Sequence, residues 1–364
     1  MAIFVRRRRL KENLKEAGQM KRISRGKFEK MQKLSNEDGV IAALAIDQRG
    51  SMKKMMKAAT GPDNFKMEQI YDFKRLVSQE LTKYVSSILL DEEYGFQGIE
   101  AKNPNAGLIL SYEKTGYDVN TPGRLPELLP NESLQRLVQK GADAAKVLVY
   151  YNPDEPQEIL DTKHAFLERL GTEAQAADIP IFVEPIVYDD EITDDKSPAF
   201  AKIKPSKVIR TIQELTKDKY HIDILKVEVP VQFDLVEGFQ KEGLEAVYTQ
   251  EEAANYFREA SDAATRPFIY LSAGVPANIF REELRFAGEH GAKFSGILGG
   301  RATWRDSVEI YGKQGEKALL DWLDTQGREN VEELNAILKE YATPWYEFYG
   351  GLDNIEVFDI SVME

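Results

Sequence analysis

Cysteine is absent from the 364-residue chain, and only three histidines occur. The absence of cysteine excludes disulfides, thiolate nucleophiles, iron–sulfur clusters and zinc sites built on sulfur. Long hydrophobic runs are also missing: none approaches the roughly 18 residues of a membrane-spanning helix, and no secretory segment is evident. We therefore expect a cytoplasmic protein that neither spans nor binds a membrane.

Basic residues are the minority, and they are unevenly placed. The chain carries 48 Lys and Arg against 61 Asp and Glu, a net charge of −13. Residues 1–36 hold twelve of the basic residues and three Glu, so the remaining 328 residues carry −22. A body this acidic is expected to repel nucleic acid. The arginine run at 6–9 is typical of a segment that touches an anionic partner or a membrane surface, or of a transit peptide. Glu12 and Glu16 follow it closely, however, and we favour a solvated helical tail.

Eight short apolar runs, rich in β-branched residues, recur from residue 40 onward. Their starts lie 22 to 44 residues apart, near the size of one strand–helix unit. The runs cover 40–47, 84–91, 106–113, 144–151, 181–188, 224–231, 267–274 and 294–301. Continuous hydrophobicity indicates strands that are covered on both faces, as in a parallel sheet. The pattern predicts an α/β protein with a (β/α)8 TIM barrel. A doubly wound open sheet is the alternative, although no G-x-G-x-x-G follows the first run.

Apolar residues at helical spacing fill the intervals between the runs. They predict helices over 67–81, 131–140, 207–216 and 250–261, and a further helix over 330–341. We therefore expect three parts: a basic helical extension over 1–36, the barrel over 37–325, and a C-terminal helix with an aromatic tail over 326–364. An exposed tail so rich in aromatic residues would be an aggregation hazard, so we expect it to pack on the barrel or to make an oligomer contact.

Several charged residues interrupt or end the apolar runs, where a barrel interior favours Val, Ile and Leu, and four of them are the most informative. Asp47 ends the first run, Lys146 lies in the fourth, Glu184 in the fifth and Lys226 in the sixth. Taken singly, each has a structural explanation, because Glu184 and Lys226 can form a buried ion pair and Asp47 can cap the next helix. Together they would be a costly cluster if they served structure alone.

The same four residues fit a covalent mechanism. A lysine buried beside a second cation is shifted towards its neutral amine, which can attack a carbonyl and form a Schiff base. A carboxylate in the same pocket can shuttle protons. We therefore predict that Lys226, Glu184, Asp47 and Lys146 are catalytic.

The seventh and eighth runs end in small residues. Ser272 and Gly274 close the seventh run, and Leu298, Gly300 and Arg301 close the eighth. Small residues allow a ligand to approach the backbone amides, and this end of a barrel often binds phosphate, for which Arg301 would supply a forked donor. The alternative is that the glycines serve only tight turns.

A metal-dependent mechanism is the competitor, since Zn²⁺ can stabilise an enolate. It requires clustered ligands. His164 lies in a predicted helix, while His221 precedes the sixth run and His290 follows the seventh helix, both at the wrong end of the barrel. We therefore expect no metal and no other cofactor.

Six motifs occur in order along the chain: ALAIDQRG at 43–50, SILLD at 87–91, YEKTGY at 112–117, LKVEVP at 225–230, YLSAGV at 270–275 and GGRATW at 299–304. They closely resemble the bacterial tagatose 1,6-bisphosphate aldolase family, which consists of class I, Schiff-base aldolases with a (β/α)8 fold. The resemblance covers about residues 38 to 345. The chain departs from it in a longer basic start, in its extension beyond residue 345, and in Pro185 after the Glu184 carboxylate.

The resemblance implies a role for each matching residue. Lys226 would form the Schiff base and Glu184 would be the acid/base carboxylate. Asp47 and Gln48 match the family's Asp-Gln pair, and Lys146 matches its fourth-strand lysine. The positions that match the C1-phosphate site are Ser272, Leu298, Gly300 and Arg301, and we add the Gly274 amide to them.

The resemblance also implies a reaction, the cleavage of D-tagatose 1,6-bisphosphate into dihydroxyacetone phosphate and D-glyceraldehyde 3-phosphate, with tolerance of fructose 1,6-bisphosphate and other epimers. A related branch cleaves a phosphorylated sulfo-sugar, so the group at C6 stays open. Two other functions stay open as well: a phosphosugar isomerase or epimerase that uses the carboxylates without an imine, and a phosphosugar sensor. The expected partner is thus a small phosphorylated ketose, and association into a homo-oligomer is an open expectation.

Overall fold

Eight parallel strands form a closed barrel at the centre of the molecule. The computed structural model describes residues 21–115 and 121–360. Each barrel strand pairs with the next one along the chain, and the last strand closes the ring against the first, with Leu298 opposite Ala43. The barrel strands are β2 Ile41–Ala45, β3 Ser87–Leu90, β4 Gly107–Ser111, β5 Ala144–Tyr151, β6 Ile181–Val187, β7 Ile224–Val227, β8 Phe268–Leu271 and β9 Gly296–Gly299. The predicted (β/α)8 barrel is confirmed, and the open-sheet alternative is wrong.

Helices connect the strands and cover the outside of the barrel. They are α1 Arg25–Leu34, α2 Gly50–Thr60, α3 Glu68–Leu81, α4 Glu92–Ala101, α5 Leu134–Gln139, α6 Gln157–Ala176, α7 Pro198–Leu215, α8 Gln250–Ala263, α9 Ala277–Glu289, α10 Arg301–Gln314, α11 Glu316–Trp322 and α12 Arg328–Tyr341. The predicted helices correspond to α3, α5, α7, α8 and α12. Helix α7 begins nine residues earlier than predicted, because Ser197 caps it by accepting a hydrogen bond from Phe200 N.

Both faces of the barrel strands are buried, which explains their continuous hydrophobicity. Alternate residues, such as Leu44, Ile88 and Leu225, pack against the surrounding helices. The other residues fill the barrel interior and form one apolar cluster. Its strand members are Ile41, Ala43, Ala45, Leu89, Ile109, Ala144, Phe182, Ile224, Ile269 and Leu298.

The N-terminal end of the barrel is sealed by segments from both ends of the described chain. Strand β1 (Lys21–Ser24) pairs in parallel with β10 (Ile355–Phe358), and α1 follows β1 directly. Met31 and Leu34 of α1 belong to the same apolar cluster as the barrel interior, together with Trp345 and Tyr349. Among the described residues, these segments therefore cover the apolar interior of the barrel at this end.

Helix α1 corrects one expectation. The basic segment was predicted to be a solvated tail, but Lys27 is only 6% exposed and its ammonium lies 2.8 Å from Asp223 Oδ2, just before β7. A count of basic residues cannot reveal this contact, because the partner lies 196 residues away along the chain. The division of the chain at residues 36 and 325 stays a prediction.

Part of what was predicted lies outside the described residues. The structure does not describe residues 1–20, which contain the arginine run at 6–9, or residues 361–364. Nor does it describe residues 116–120, which include Gly116 and Tyr117 of the YEKTGY motif. Within the described ranges, no helix combines the length and apolar character that crossing a membrane requires.

Candidate active site

A cavity of about 370 Å³ opens at the carboxyl ends of the barrel strands. This is the end at which (β/α)8 enzymes carry their active sites. All ten predicted site residues line it: Asp47, Gln48, Lys146, Glu184, Lys226, Ser272, Gly274, Leu298, Gly300 and Arg301. Residues from distant parts of the sequence thus meet in one pocket. The function of each residue stays a prediction.

The alternation of a β-strand explains why the charged side chains point inward. Residues two apart on a strand share a face, and each predicted catalytic residue lies two positions after a member of the inner apolar cluster. These pairs are Ala45 and Asp47, Ala144 and Lys146, Phe182 and Glu184, and Ile224 and Lys226. The charged residues therefore form the next layer above the apolar interior.

The two lysines share one carboxylate. Lys226 Nζ lies 2.8 Å from Glu184 Oε1, and Lys146 Nζ lies 3.0 Å from Glu184 Oε2. Lys146 Nζ also lies 2.8 Å from Asp47 Oδ2. Lys226 is 5% exposed and Lys146 is 1% exposed, so the cluster is nearly dry but reaches the cavity. The ion pair considered for Glu184 and Lys226 exists, whereas Asp47 contacts Lys146 and does not cap α2.

The lysines keep the two flanking carboxyls ionised. Burial alone would raise the pKa of Asp47, but Lys146 and Lys226 outweigh it and lower the pKa. The same balance between burial and the two lysines lowers the pKa of Glu184. Burial would lower the pKa of Lys146, but Asp47, Glu113 and Glu184 raise it well above its ordinary value. Lys146 is thus a cation in the resting site, and Glu184 is a proton acceptor in contact with Lys226.

The opposite side of the cavity is lined by small residues and one guanidinium. Gly274 has φ +77°, and a Cβ there would meet Arg301 Cζ at 2.7 Å. Both the turn and the seating of Arg301 therefore require glycine. A Cβ on Gly300 would lie 3.6 Å from both Gln48 Nε2 and Ser272 Oγ, so these polar groups converge on its backbone.

Helix α10 adds backbone donors to this side. It begins at Arg301, and Gly300 at its N-cap has no side chain to satisfy the first N–H groups. Such a helix start, beside a guanidinium, suits an anionic oxygen. Gln48 lines the cavity, and its Oε1 is buried without a hydrogen-bond partner among the described residues, which leaves one acceptor unsatisfied.

Glu113 and Arg49 are among the charged residues of the cavity that sequence reasoning missed. Glu113 Oε1 lies 2.8 Å from Lys146 Nζ, and Arg49 donates to the Glu113 carbonyl oxygen at 2.9 Å. A signal existed for Glu113, because it lies four residues after inward-facing Ile109 at the end of an apolar run. Other lining residues without an assigned role are Thr115, Tyr150, Asp195 and Glu228.

The histidines lie away from the cavity, as the sequence indicated. His164 on α6 is 2.9 Å from the Tyr151 hydroxyl, measured from Nε2. His221 precedes β7 and His290 ends α9. Across 21–115 and 121–360, no group of three or more His, Cys, Asp or Glu is arranged to hold a metal ion. Independence of metal stays a prediction.

Comparison with known proteins places the chain among aldolases. The model of the DeoC/LacD family of aldolases matches residues 41–306. The tagatose 1,6-diphosphate aldolase of Listeria monocytogenes serotype 4a is 54% identical over 340 residues, which cover 93% of this chain and 99% of that protein. Tagatose 1,6-diphosphate aldolase 2 of Enterococcus faecalis is 51% identical over 325 residues, covering 89% and 97%.

A solved structure supports the fold. The fructose-bisphosphate aldolase of Plasmodium falciparum superposes with a TM-score of 0.64 at 15% identity, over 88% of this chain and 98% of that one. The family match spans most of the chain and every barrel strand, and the relatives match over nearly their whole length. The chain therefore belongs to the DeoC/LacD family of aldolases.

Proposed function

We propose that this aldolase is of class I and cleaves D-tagatose 1,6-bisphosphate into dihydroxyacetone phosphate and D-glyceraldehyde 3-phosphate through an imine on Lys226. The observation that carries the proposal is a lysine amine, 5% exposed at the floor of the cavity, in contact with an ionised carboxylate. Relatives at 51–54% identity that bear the name tagatose 1,6-diphosphate aldolase support the choice of substrate. A cytoplasmic location fits a sugar phosphate substrate.

The substrate would be held by its C1 phosphate. Arg301, Ser272 and the backbone amides at Gly274 and Gly300 line the side of the cavity that suits an anion, and Leu298 forms the apolar floor beside them. Fixing the phosphate there directs the C2 carbonyl of the open-chain sugar towards Lys226. Holding the reacting atoms in this way removes much of the entropic part of the barrier.

Imine formation begins when the Lys226 ammonium passes a proton to Glu184, 2.8 Å away. The neutral amine attacks C2, and the resulting carbinolamine loses its hydroxyl as water after a proton is returned to that oxygen. The product is an iminium cation. Lys146 holds Glu184 from its other oxygen and so fixes the carboxylate between the two nitrogens.

Carbon–carbon cleavage uses the iminium as an electron sink. A base removes the proton of the C4 hydroxyl, the C3–C4 bond breaks, and its electron pair forms the enamine while glyceraldehyde 3-phosphate leaves. Glu184 is the proposed base, and Asp47 would orient the sugar hydroxyls from the neighbouring wall. Protonation at C3 and hydrolysis of the imine then release dihydroxyacetone phosphate and restore Lys226.

The stereochemical requirement at C3 and C4 is the open part of this proposal. Epimers differ only in the direction of one or two hydroxyls, so we expect fructose 1,6-bisphosphate and the other epimers to be cleaved as well. The decisive test measures cleavage of the four ketose 1,6-bisphosphates that differ at C3 and C4, tagatose 1,6-bisphosphate included, in a coupled dehydrogenase assay with and without EDTA. Lys226→Met should abolish cleavage, whereas Lys202→Met, at an exposed position of α7, should not change it.

Three outcomes would contradict the proposal. Loss of cleavage in EDTA would indicate a metal-dependent aldolase. Conversion of one ketose phosphate into another without cleavage would indicate an isomerase or epimerase. Tight binding without any turnover would indicate a sensor.

A further inference from the structure

Lys146 has a third carboxylate partner that the proposed mechanism leaves without a role. Glu113 lies two residues after β4, and its Oε1 is 2.8 Å from Lys146 Nζ. Glu113 is 4% exposed and lines the cavity. Its carbonyl oxygen accepts a hydrogen bond from Arg49, whose Nη2 also lies 3.6 Å from Glu113 Oε1. Its backbone and carboxylate are thus both fixed.

Hydrogen-bond contacts link four side chains in a continuous series: Lys226, Glu184, Lys146 and Glu113. Lys226 Nζ meets Glu184 Oε1 at 2.8 Å, Glu184 Oε2 meets Lys146 Nζ at 3.0 Å, and Lys146 Nζ meets Glu113 Oε1 at 2.8 Å. Every link joins a nitrogen that can donate to an oxygen that can accept, at hydrogen-bond distance. Lys226 is therefore linked to Glu113 entirely through groups that can donate or accept a proton.

The balance of charges in the cluster favours keeping the proton among these groups. Asp47, Glu113 and Glu184 provide three negative charges, and Arg49, Lys146 and Lys226 provide three positive ones. The proposed function requires Lys226 to lose a proton. If that proton escaped to solvent, the buried cluster would keep one uncompensated negative charge, which is costly at such low exposure.

We infer that Glu113 holds the proton released by Lys226 and is thus a positioning residue that acts on the imine-forming lysine through Lys146 and Glu184. Lys146 gives a proton to Glu113, and the neutral amine that this leaves accepts, through Glu184, the proton that Lys226 releases. The net result is a neutral amine and a neutral Glu113 carboxyl. The steps reverse when the carbinolamine oxygen takes a proton and leaves as water, so no proton is gained or lost. This inference rests on the proposed function.

The surroundings distinguish Glu113 from the other two carboxyls. It faces Lys146 on β5, Asp47 after β2 and Arg49 at the start of α2. Burial and the nearby Asp47 raise the pKa of Glu113, against the opposite effect of the two cations. The pKa values of Asp47 and Glu184 are lowered. Glu113 is therefore the carboxyl that accepts a proton at the smallest cost.

The test follows the rate of imine formation between pH 7 and 9. The enzyme is mixed with dihydroxyacetone phosphate, quenched with borohydride at successive times, and the reduced adduct is counted by mass spectrometry. In the wild-type enzyme the proton stays inside the cluster, so the rate should be nearly independent of pH. Glu113→Gln can still accept a hydrogen bond from Lys146 but cannot hold a proton. Its rate should be about 10²-fold lower at pH 7 and should rise about tenfold per pH unit.

Two comparisons separate this role from a structural one. Glu113→Asp keeps a carboxyl and should restore a rate that is independent of pH. A deficit in Glu113→Gln that is equal at every pH would contradict the inference, because a displaced Lys226 would be slow at all pH values. The wild-type enzyme alone provides a further test, since a tenfold rise per pH unit there would show that the proton leaves to solvent. If the wild-type enzyme forms no adduct, the proposed function fails instead.

Discussion

The replacement Lys146→Met removes the cation at the centre of the acidic cluster, and its cost can be worked from the contacts. Lys146 Nζ lies 2.8 Å from Asp47, 2.8 Å from Glu113 and 3.0 Å from Glu184, and the lysine is 1% exposed. Methionine has a similar length and no charge. Removing one partner of a buried ion pair typically costs about 3–5 kcal/mol. A domain is stable by about 5–15 kcal/mol, so the free energy of unfolding should fall markedly while the protein still folds.

The pH dependence of this loss identifies its origin. In the wild-type protein, Asp47 and Glu184 have folded-state pKa values below their ordinary values of 3.8 and 4.5. Their contribution is present above those ordinary values and is lost only as the pH falls through the lower folded values. The folded-state pKa of Lys146 is raised above 10.5, so its contribution is complete below that value. All three contributions are therefore constant between pH 5 and 8.

In Lys146→Met the buried carboxyls lose their main cation, and burial then raises their pKa values. Their folded-state values exceed the unfolded ones, so the variant loses stability as the pH rises. We expect the difference from wild type, measured by urea denaturation, to be largest at pH 8 and to shrink as the pH falls to 5. Lys202→Met, at an exposed site, should show no difference at either pH. A loss for Lys146→Met that is equal at pH 5 and pH 8 would refute the reasoning, because it would indicate poor packing and not unpaired charge.

Three further predictions concern other parts of the molecule. Glu184→Gln should lower kcat/KM about 10²–10⁴-fold, since it removes a proton-transfer group, and steady-state kinetics with a normal circular dichroism spectrum would check it. Gly274→Ala adds a Cβ 2.7 Å from the Arg301 guanidinium at φ +77°, so KM for the bisphosphate should rise about tenfold with a smaller effect on kcat. Lys27→Met removes the ammonium that pairs with the Asp223 carboxylate and should lower the free energy of unfolding by about 3 kcal/mol, as measured with urea, without changing kcat.

The barrel and much of the charged layer that lines its cavity could be predicted because they depend on local patterns. Continuous apolar runs identify strands that are covered on both sides, and a charge inside such a run is visible in the sequence alone. Lys146, Glu184 and Lys226 are of this kind. Glu113 could have been found by the same alternation, but it lies at the end of its run, where a charged residue is also typical of a turn.

The covering of the barrel's N-terminal end could not be predicted, because it depends on contacts between distant segments. Basic composition indicated a solvated tail for residues 1–36, yet α1, within the described part of that segment, buries Met31 and Leu34 in one cluster with Trp345. The pairing of β1 with β10 joins residues more than 300 positions apart, and neither four-residue strand carries a pattern that identifies its partner. The burial of Lys27 on α1 could not be predicted for the same reason, because it depends on an ion pair with Asp223, which is distant in the sequence.

The central claim is that Lys226 bonds covalently to the substrate, and one measurement tests it most directly. The protein is incubated with dihydroxyacetone phosphate, reduced with borohydride, digested and mapped by mass spectrometry. The account predicts one reduced three-carbon phosphate per chain, on the peptide that contains Lys226, and none in Lys226→Met. An adduct on Lys146 or on any other lysine, or no adduct in a preparation that cleaves the bisphosphate, would contradict it.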